Sequence, residues 1–253
     1  MLMLALDTAT PAVTVALHDA DADRTLAAAH QVDARRHGEL LLPSIDRVLS
    51  EAGRKLADVT DVVVGVGPGP YTGLRVGLAT AEAFGAALGP RVHGVCTLDG
   101  IAYATGLEEP FLVATDARRK EVYWARYADA RTRVGEPAVD RPADLAARGG
   151  PGELHGAGAA GEADESGAEA AGLGAGFEAG VAGLPAVGAG AVLYEDVFRG
   201  VRHDLPAELS APALARLAAE RLARGEELLP PQPLYLRRPD AQVPANYKVV
   251  TPR

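Results

Sequence analysis

A single cysteine, Cys96, excludes an intramolecular disulfide and a cysteine-based zinc cluster. That scarcity fits a reducing cytosol. No stretch reaches about 18 apolar residues without Gly or charge, so no membrane span is expected, and the N-terminal apolar run stops at Asp7, too short for a secretory signal. The expected location is cytoplasmic. Positive charge is also scarce: 25 Lys and Arg stand against 34 Asp and Glu, a formal charge of −9. Affinity for nucleic acid comes largely from Lys and Arg neutralising phosphates, so the chain is not expected to bind nucleic acid alone.

Catalytic motifs are missing as well. The six histidines (His18, His30, His37, His93, His155 and His203) include no H-x-x-x-H or H-E-x-x-H pair that would put two imidazoles on one helical face. No G-x-S-x-G nucleophile elbow occurs. Nothing around Cys96 suggests activation, so a buried, inert thiol is expected.

What is present is a globular composition, 48% hydrophobic and 23% charged over 253 residues, enough for one large domain or two smaller ones. Information concentrates between Val62 and Gly77. The unbroken apolar run Val62 to Val66 suits a strand buried on both faces. Gly67-Pro68-Gly69-Pro70 must then break regular structure, and Thr72 can cap the helix that follows. Such a turn can hold a phosphate on its free N–H groups. However, the Lys-Ser/Thr pair of a P-loop is replaced by Leu74-Arg75, and the glycines at 65, 67, 69 and 73 do not have dinucleotide-fingerprint spacing. A tight structural turn is the favoured reading. The helix from Thr72 to about Leu88 carries small residues at every fourth position (Gly73, Gly77, Ala81, Gly85, Gly89), one ridge suited to close approach by its own sheet or by another subunit.

Strands are expected at residues 2 to 6, from Val13 to Leu17 with one face buried, and from Arg24 to Gln31. A helix follows in which Leu41, Ile45, Val48, Leu49 and Ala52 share a face, with Pro43 forcing a kink near Glu39 or a start close to Leu40. The run Phe111 to Arg118 leading to Glu121 to Tyr127 repeats the strand, Asp-turn, strand plan of residues 2 to 18, which points to internal duplication. From Gly149 to about Gly183 the chain is rich in Gly, Ala and Glu and too poor in large apolar residues to offset its ordering entropy, so a flexible insertion is expected at about 150–183. A final helix spans Ala211 to Arg224, and Pro230 to Pro233 force an extended tail. Asp7 and Asp116 end the first strands of the two repeats. Thr8-Ala9-Thr10-Pro11 after Asp7 contains no glycine and one missing N–H, so both acids are read as turn residues that bond nearby backbone. Arg118, Arg119, Lys120 and Glu121 form a charged turn.

The segment Gly67-Pro68-Gly69-Pro70-Tyr71-Thr72-Gly73-Leu74-Arg75-Val76-Gly77 resembles the signature GPGSFTGLRIG of the bacterial TsaB (YeaZ) family, with Pro70 and Tyr71 in place of Ser and Phe. Residues 4–10, His37 with Leu41-Leu42-Pro43, Asp116-Ala117-Arg118 with Glu121-Val122-Tyr123, and Pro233 to Arg237 follow in family order; only residues 150–190 lie outside the match. The resemblance implies an α/β class with a duplicated actin-like (RNase H-like) fold, mixed sheets flanked by helices. It divides the chain into an N-terminal subdomain (1–106) and a C-terminal subdomain (107–253) that contains the insertion. It further implies a non-catalytic dimerisation and activating subunit of the complex that transfers a threonylcarbamoyl group to the adenosine beside the tRNA anticodon. The alternative is a small ATP-dependent kinase or peptidase-like enzyme of the actin-like superfamily. The implied partners are a TsaD-like catalytic subunit and a TsaE-like ATPase, with a homodimer in isolation and no direct tRNA binding by this chain alone. No cofactor is expected to bind it tightly, ATP and metal being expected on the partner subunits, and no catalytic or metal residue is assigned. The partner interface is expected on Leu41, Ile45, Val48 and Leu49 of one helix and Gly73, Gly77, Leu78, Ala81 and Gly85 of the next. Asp7, Arg118 and Glu121 are candidate cleft or partner contacts.

Overall fold

A computed structural model describes residues 1–147, 181–198 and 200–237. The expected flexible insertion therefore lies outside the described residues, except for the single turn Val181–Gly183.

The first sheet is a meander that turns parallel. Strands β1 (Leu2–Asp7), β2 (Ala12–Asp19) and β3 (Arg24–Val32) pair antiparallel, and β4 (Asp61–Gly65) and β5 (Arg91–Val95) join parallel on the other side of β1, giving the order β3-β2-β1-β4-β5. The second sheet repeats this: β6 (Phe111–Asp116), β7 (Val122–Asp129) and β8 (Thr132–Asp140) form the meander and β9 (Ala186–Val187) adds parallel to β6, in the order β8-β7-β6-β9. The repeat of one strand order in two mixed sheets flanked by helices is the duplicated actin-like plan expected from the sequence.

Period-2 geometry distributes the core. Leu4 and Leu6 of β1 join Val62, Val64 and the helices α1 (His37–Glu51) and α2 (Tyr71–Leu88) on one face of the first sheet. Met3 and Ala5 join Val63, the helices α3 (Thr97–Thr105) and α6 (Ala211–Ala223), and Phe111 of the second sheet on the other. The last of these helices thus packs on β1 and β2 from nearly 200 positions away along the chain. Helices α4 (Pro142–Ala147) and α5 (Ala189–Leu193) complete the set, the latter against β6.

Three local expectations change. Strand β2 is buried on both faces from Ala12 to His18, not on one, because α1 covers one side and α6 the other. Thr72 does not cap α2: Pro70 occupies the N-cap position, no side-chain cap bond forms, and Thr72 is an exposed residue inside the first turn. Helix α1 starts at His37 and runs through Pro43. Pro43 is exposed there and deprives only the Glu39 carbonyl of an intrahelical partner.

Candidate functional site

The Gly/Pro turn after β4 meets the β1–β2 turn, and the glycines exist for that meeting. A methyl group at Gly69 would lie 2.1 Å from the Ala9 carbonyl oxygen, and one at Gly73 would lie 2.6 Å from the Thr8 carbonyl oxygen. The Thr8 hydroxyl donates to the Gly73 carbonyl at 2.7 Å and accepts the Gly77 N–H at 2.9 Å. The Gly/Pro turn therefore packs directly against the protein's own backbone at Thr8 and Ala9. His37 starts α1 and its Nε2 lies 2.8 Å from the Thr10 carbonyl oxygen, tying the helix to the same turn.

Asp7 sits at the centre of this junction with no exposed surface. Its Oδ1 accepts the Ala9 N–H at 2.8 Å, and its Oδ2 accepts the Thr97 hydroxyl at 2.7 Å. The Thr97 oxygen in turn accepts the Gly67 N–H at 3.1 Å. Burial raises the Asp7 pKa to about 6 against the lowering effect of the Thr97 and Ala9 bonds, and Glu208, itself pushed up by burial, adds to the rise. Asp116 plays the corresponding turn role in the second repeat: Oδ1 accepts the Arg118 N–H at 2.7 Å and Oδ2 lies 3.2 Å from the Arg118 guanidinium. Cys96 is buried, and burial pushes its thiol up to about 12, so the thiolate is absent near neutral pH.

Most of the residues expected at a partner interface lie inside this chain. Leu41, Ile45, Val48 and Leu49 are buried beneath α1, and Gly73, Gly77, Leu78 and Ala81 beneath α2, while Gly85 is half-buried. The small ridge of α2 faces its own sheet: a methyl at Gly77 would meet the Thr8 hydroxyl at 2.7 Å and one at Gly85 would meet Val92 at 2.5 Å. Outward-facing on the same helices are Leu42, 54% exposed, and the stripe Ala79, Ala83, Ala86 and Ala87 ending in Leu88.

Between the two sheets the structure assembles a set that the sequence reading left apart. The segment after Leu229 runs along the edge of β5, where Gly94 and Leu229 exchange backbone bonds, and continues to a Leu234 N–H bond with the Val66 carbonyl. Tyr235 then stacks on Tyr71 with centroids 5.5 Å apart, the Arg75 guanidinium lies 3.7 Å from the Tyr71 ring centroid, and Arg75 Nε donates to the Tyr235 hydroxyl at 3.0 Å. Arg237 pairs with Glu121, so Glu121 braces the strap to the second repeat. Tyr71 and Arg75 are one turn apart on α2, which is the sequence signal for their contact; the arrival of Tyr235 from 160 positions away has none. In the neighbouring turn, Arg118, Arg119 and Lys120 have φ of 61°, 55° and 62°. Three successive left-handed non-glycine residues cost about 1 to 2 kcal/mol each. No group of three or more His, Cys, Asp or Glu among the described residues is arranged to hold a metal ion, and no described helix is long and apolar enough to cross a membrane.

Comparison with known proteins adds the following. The family model for tRNA N6-adenosine threonylcarbamoyltransferase, TsaD, matches residues 30–245. An uncharacterized protein of Mycobacterium tuberculosis is 51% identical over 143 residues, 56% of this chain and 66% of that protein. The tRNA threonylcarbamoyladenosine biosynthesis protein TsaB of Escherichia coli is 39% identical over 132 residues, 50% of this chain and 55% of that protein. The chain thus aligns with between half and two thirds of the length of these curated relatives. The solved structure of YeaZ from Pseudomonas aeruginosa matches with a TM-score of 0.67 and 28% identity, covering 93% of this chain and 99% of that one.

Proposed function

Because the chain belongs to the TsaB/YeaZ family, within the group that the TsaD family model describes, we propose that it serves the synthesis of threonylcarbamoyladenosine on tRNA as a non-catalytic subunit that pairs with and activates a TsaD-like transferase. The observation that carries the non-catalytic part is the covered turn: Thr8 and Ala9 pack into the clefts left by Gly69 and Gly73, and Pro11 removes a further N–H from the same hairpin. Free backbone N–H groups are what hold a nucleotide's phosphates, and here the first hairpin is spent on packing against the turn. ATP and metal belong to the partner subunits in this reading, including a TsaE-like ATPase.

The pairing surface we assign is the outward stripe of α2, together with the exposed Leu42 of α1, in place of the buried ridge. Side chains as short as Ala79, Ala83 and Ala86 let a partner helix approach toward the lower end of the usual range of about 8 to 10 Å. Ala83→Arg is therefore expected to leave the monomer's denaturant midpoint unchanged and to weaken association with the TsaD-like subunit by about tenfold to a hundredfold, the result of overpacking a close helix contact. Titration of the two proteins reads this directly. Unchanged affinity would remove α2 from the interface.

A further inference from the structure

Two adjoining cavities flank Tyr71, and their lining reverses the charge of the chain as a whole. One, of about 410 Å³, lies among Gly69 to Tyr71, the Ala117 to Arg119 turn, Tyr123 and the strap from Leu234 to Arg237. The other, of about 340 Å³, takes Arg35, His37 and the Thr8 to Pro11 turn, and shares Pro70, Tyr71 and Arg118 with the first. Arg35, Arg118, Arg119 and Arg237 line this groove, and among the described residues no Asp or Glu does, in a chain with 34 acids against 25 Lys and Arg. Asp116 and Glu121 hold Arg118 and Arg237 from outside the lining. Arg35 has no ion-pair partner among the described residues, and the left-handed turn carries Arg118 and Arg119 at a conformational cost. At the junction of the cavities, Tyr71 and Tyr235 are 54% and 44% exposed and stacked, an aromatic surface braced by Arg75.

We propose that this groove binds a short single strand of RNA, with phosphates along Arg35, Arg118, Arg119 and Arg237 and a base against the Tyr71–Tyr235 pair. Cations tracking a backbone beside exposed aromatic faces are the recognition chemistry of single-stranded nucleic acid. Two cavities on either side of one aromatic residue, each near the small end of ligand-pocket volumes, suit successive linked nucleotides over one free nucleotide. An acidic peptide would satisfy the arginines and leave the ring faces unused. The choice of RNA rests on the proposed role in tRNA modification. The charge of −9 disfavours capture of a whole tRNA by this chain alone, whereas the charged groups lining the groove among the described residues are cations.

The test is fluorescence anisotropy of a labelled single-stranded RNA of about eight nucleotides with the full-length chain at about 50 mM salt. Binding is expected at about 10 to 100 μM, weakening as salt rises. Arg35→Gln with Arg119→Gln is expected to weaken it about tenfold and to lower the slope of log affinity against log salt by about 1.4, which is about 0.7 for each phosphate that is no longer neutralised. Tyr71→Leu is expected to weaken it at least about fivefold with the salt slope unchanged. Arg54→Gln, a change outside the groove, should alter neither quantity. Absence of binding at that salt, groove variants that bind like the parent, or equal competition by a mononucleotide or by polyglutamate would each overturn the assignment. The two readings fail separately. Groove variants with parental RNA affinity, in a chain that still drives tRNA modification, would sink the groove alone; groove-dependent RNA binding by a chain with no effect on modification would sink the proposed role alone.

Discussion

Gly69→Ala should cost this protein about 3 kcal/mol of stability or more. The added carbon would lie 2.1 Å from the Ala9 carbonyl oxygen, 2.8 Å from its carbonyl carbon and 2.9 Å from its Cβ. Two of those three atoms are backbone, so no side-chain rotation relieves the clash. Overpacking a well-packed interior costs about 1 to 3 kcal/mol even where side chains yield. Here the β1–β2 turn would have to withdraw from α2, straining the Thr8 bonds to Gly73 and Gly77 at the same time. Gly38→Ala is the control, because a methyl there meets nothing within 4 Å; that change should stay within about 1 kcal/mol of the parent. Denaturant melts at a fixed pH compare the two. Equal stabilities would show that the two turns do not pack as described.

The stability of Asp7→Asn relative to the parent should climb steeply across the mildly acidic range. Burial raises the Asp7 pKa in the folded chain from 3.8 to about 6, so folding favours the protonated acid. That contribution is fully present below the unfolded value and is lost as pH rises through the folded one. A shift of about two units corresponds to about 3 kcal/mol, undiscounted for solvent because the carboxyl has no exposed surface. Asn does not titrate. The stability of Asp7→Asn relative to the parent should therefore rise by about 2 to 2.5 kcal/mol between pH 4 and pH 7, the rest of the shift falling below pH 4. Glu208 is raised by burial too, but it is present in both proteins and its direct share cancels in the difference. A difference that stays flat over that window would mean that Asp7 is solvated or permanently paired.

The parts of this structure legible in the sequence were those written in local periodicity. The alternating and β-branched runs, the Gly/Pro break and the Asp-turn repeat sufficed to place the first strands, the doubly buried strand and the duplication, because strand burial and turn chemistry leave local marks, whereas the mixed pairing was implied by the family resemblance. The small ridge of α2 was equally visible, but periodicity reports which side of a helix is small and not what approaches it. In the folded chain it is Thr8 and Val92 that approach it. The burial of Asp7 depends on Thr97, 90 positions away, and the aromatic stack depends on a strap that returns from the far end of the described chain. Neither contact leaves a trace near its residues. Thr72 misled because its hydroxyl chemistry suits a cap, while Pro70, with its extended ψ of 132°, already sets the helix start one residue earlier.

The central claim is that this chain promotes threonylcarbamoyl transfer without performing it. The most direct test is reconstitution: the TsaD-like subunit, the TsaE-like ATPase, tRNA, ATP and the threonylcarbamoyl donor, with this chain present or omitted, and modified adenosine measured over time. The account predicts modification with the complete set, background levels when this chain is left out, and no modification by this chain without the TsaD-like subunit. An equal rate in its absence, or transfer by this chain alone, would contradict it.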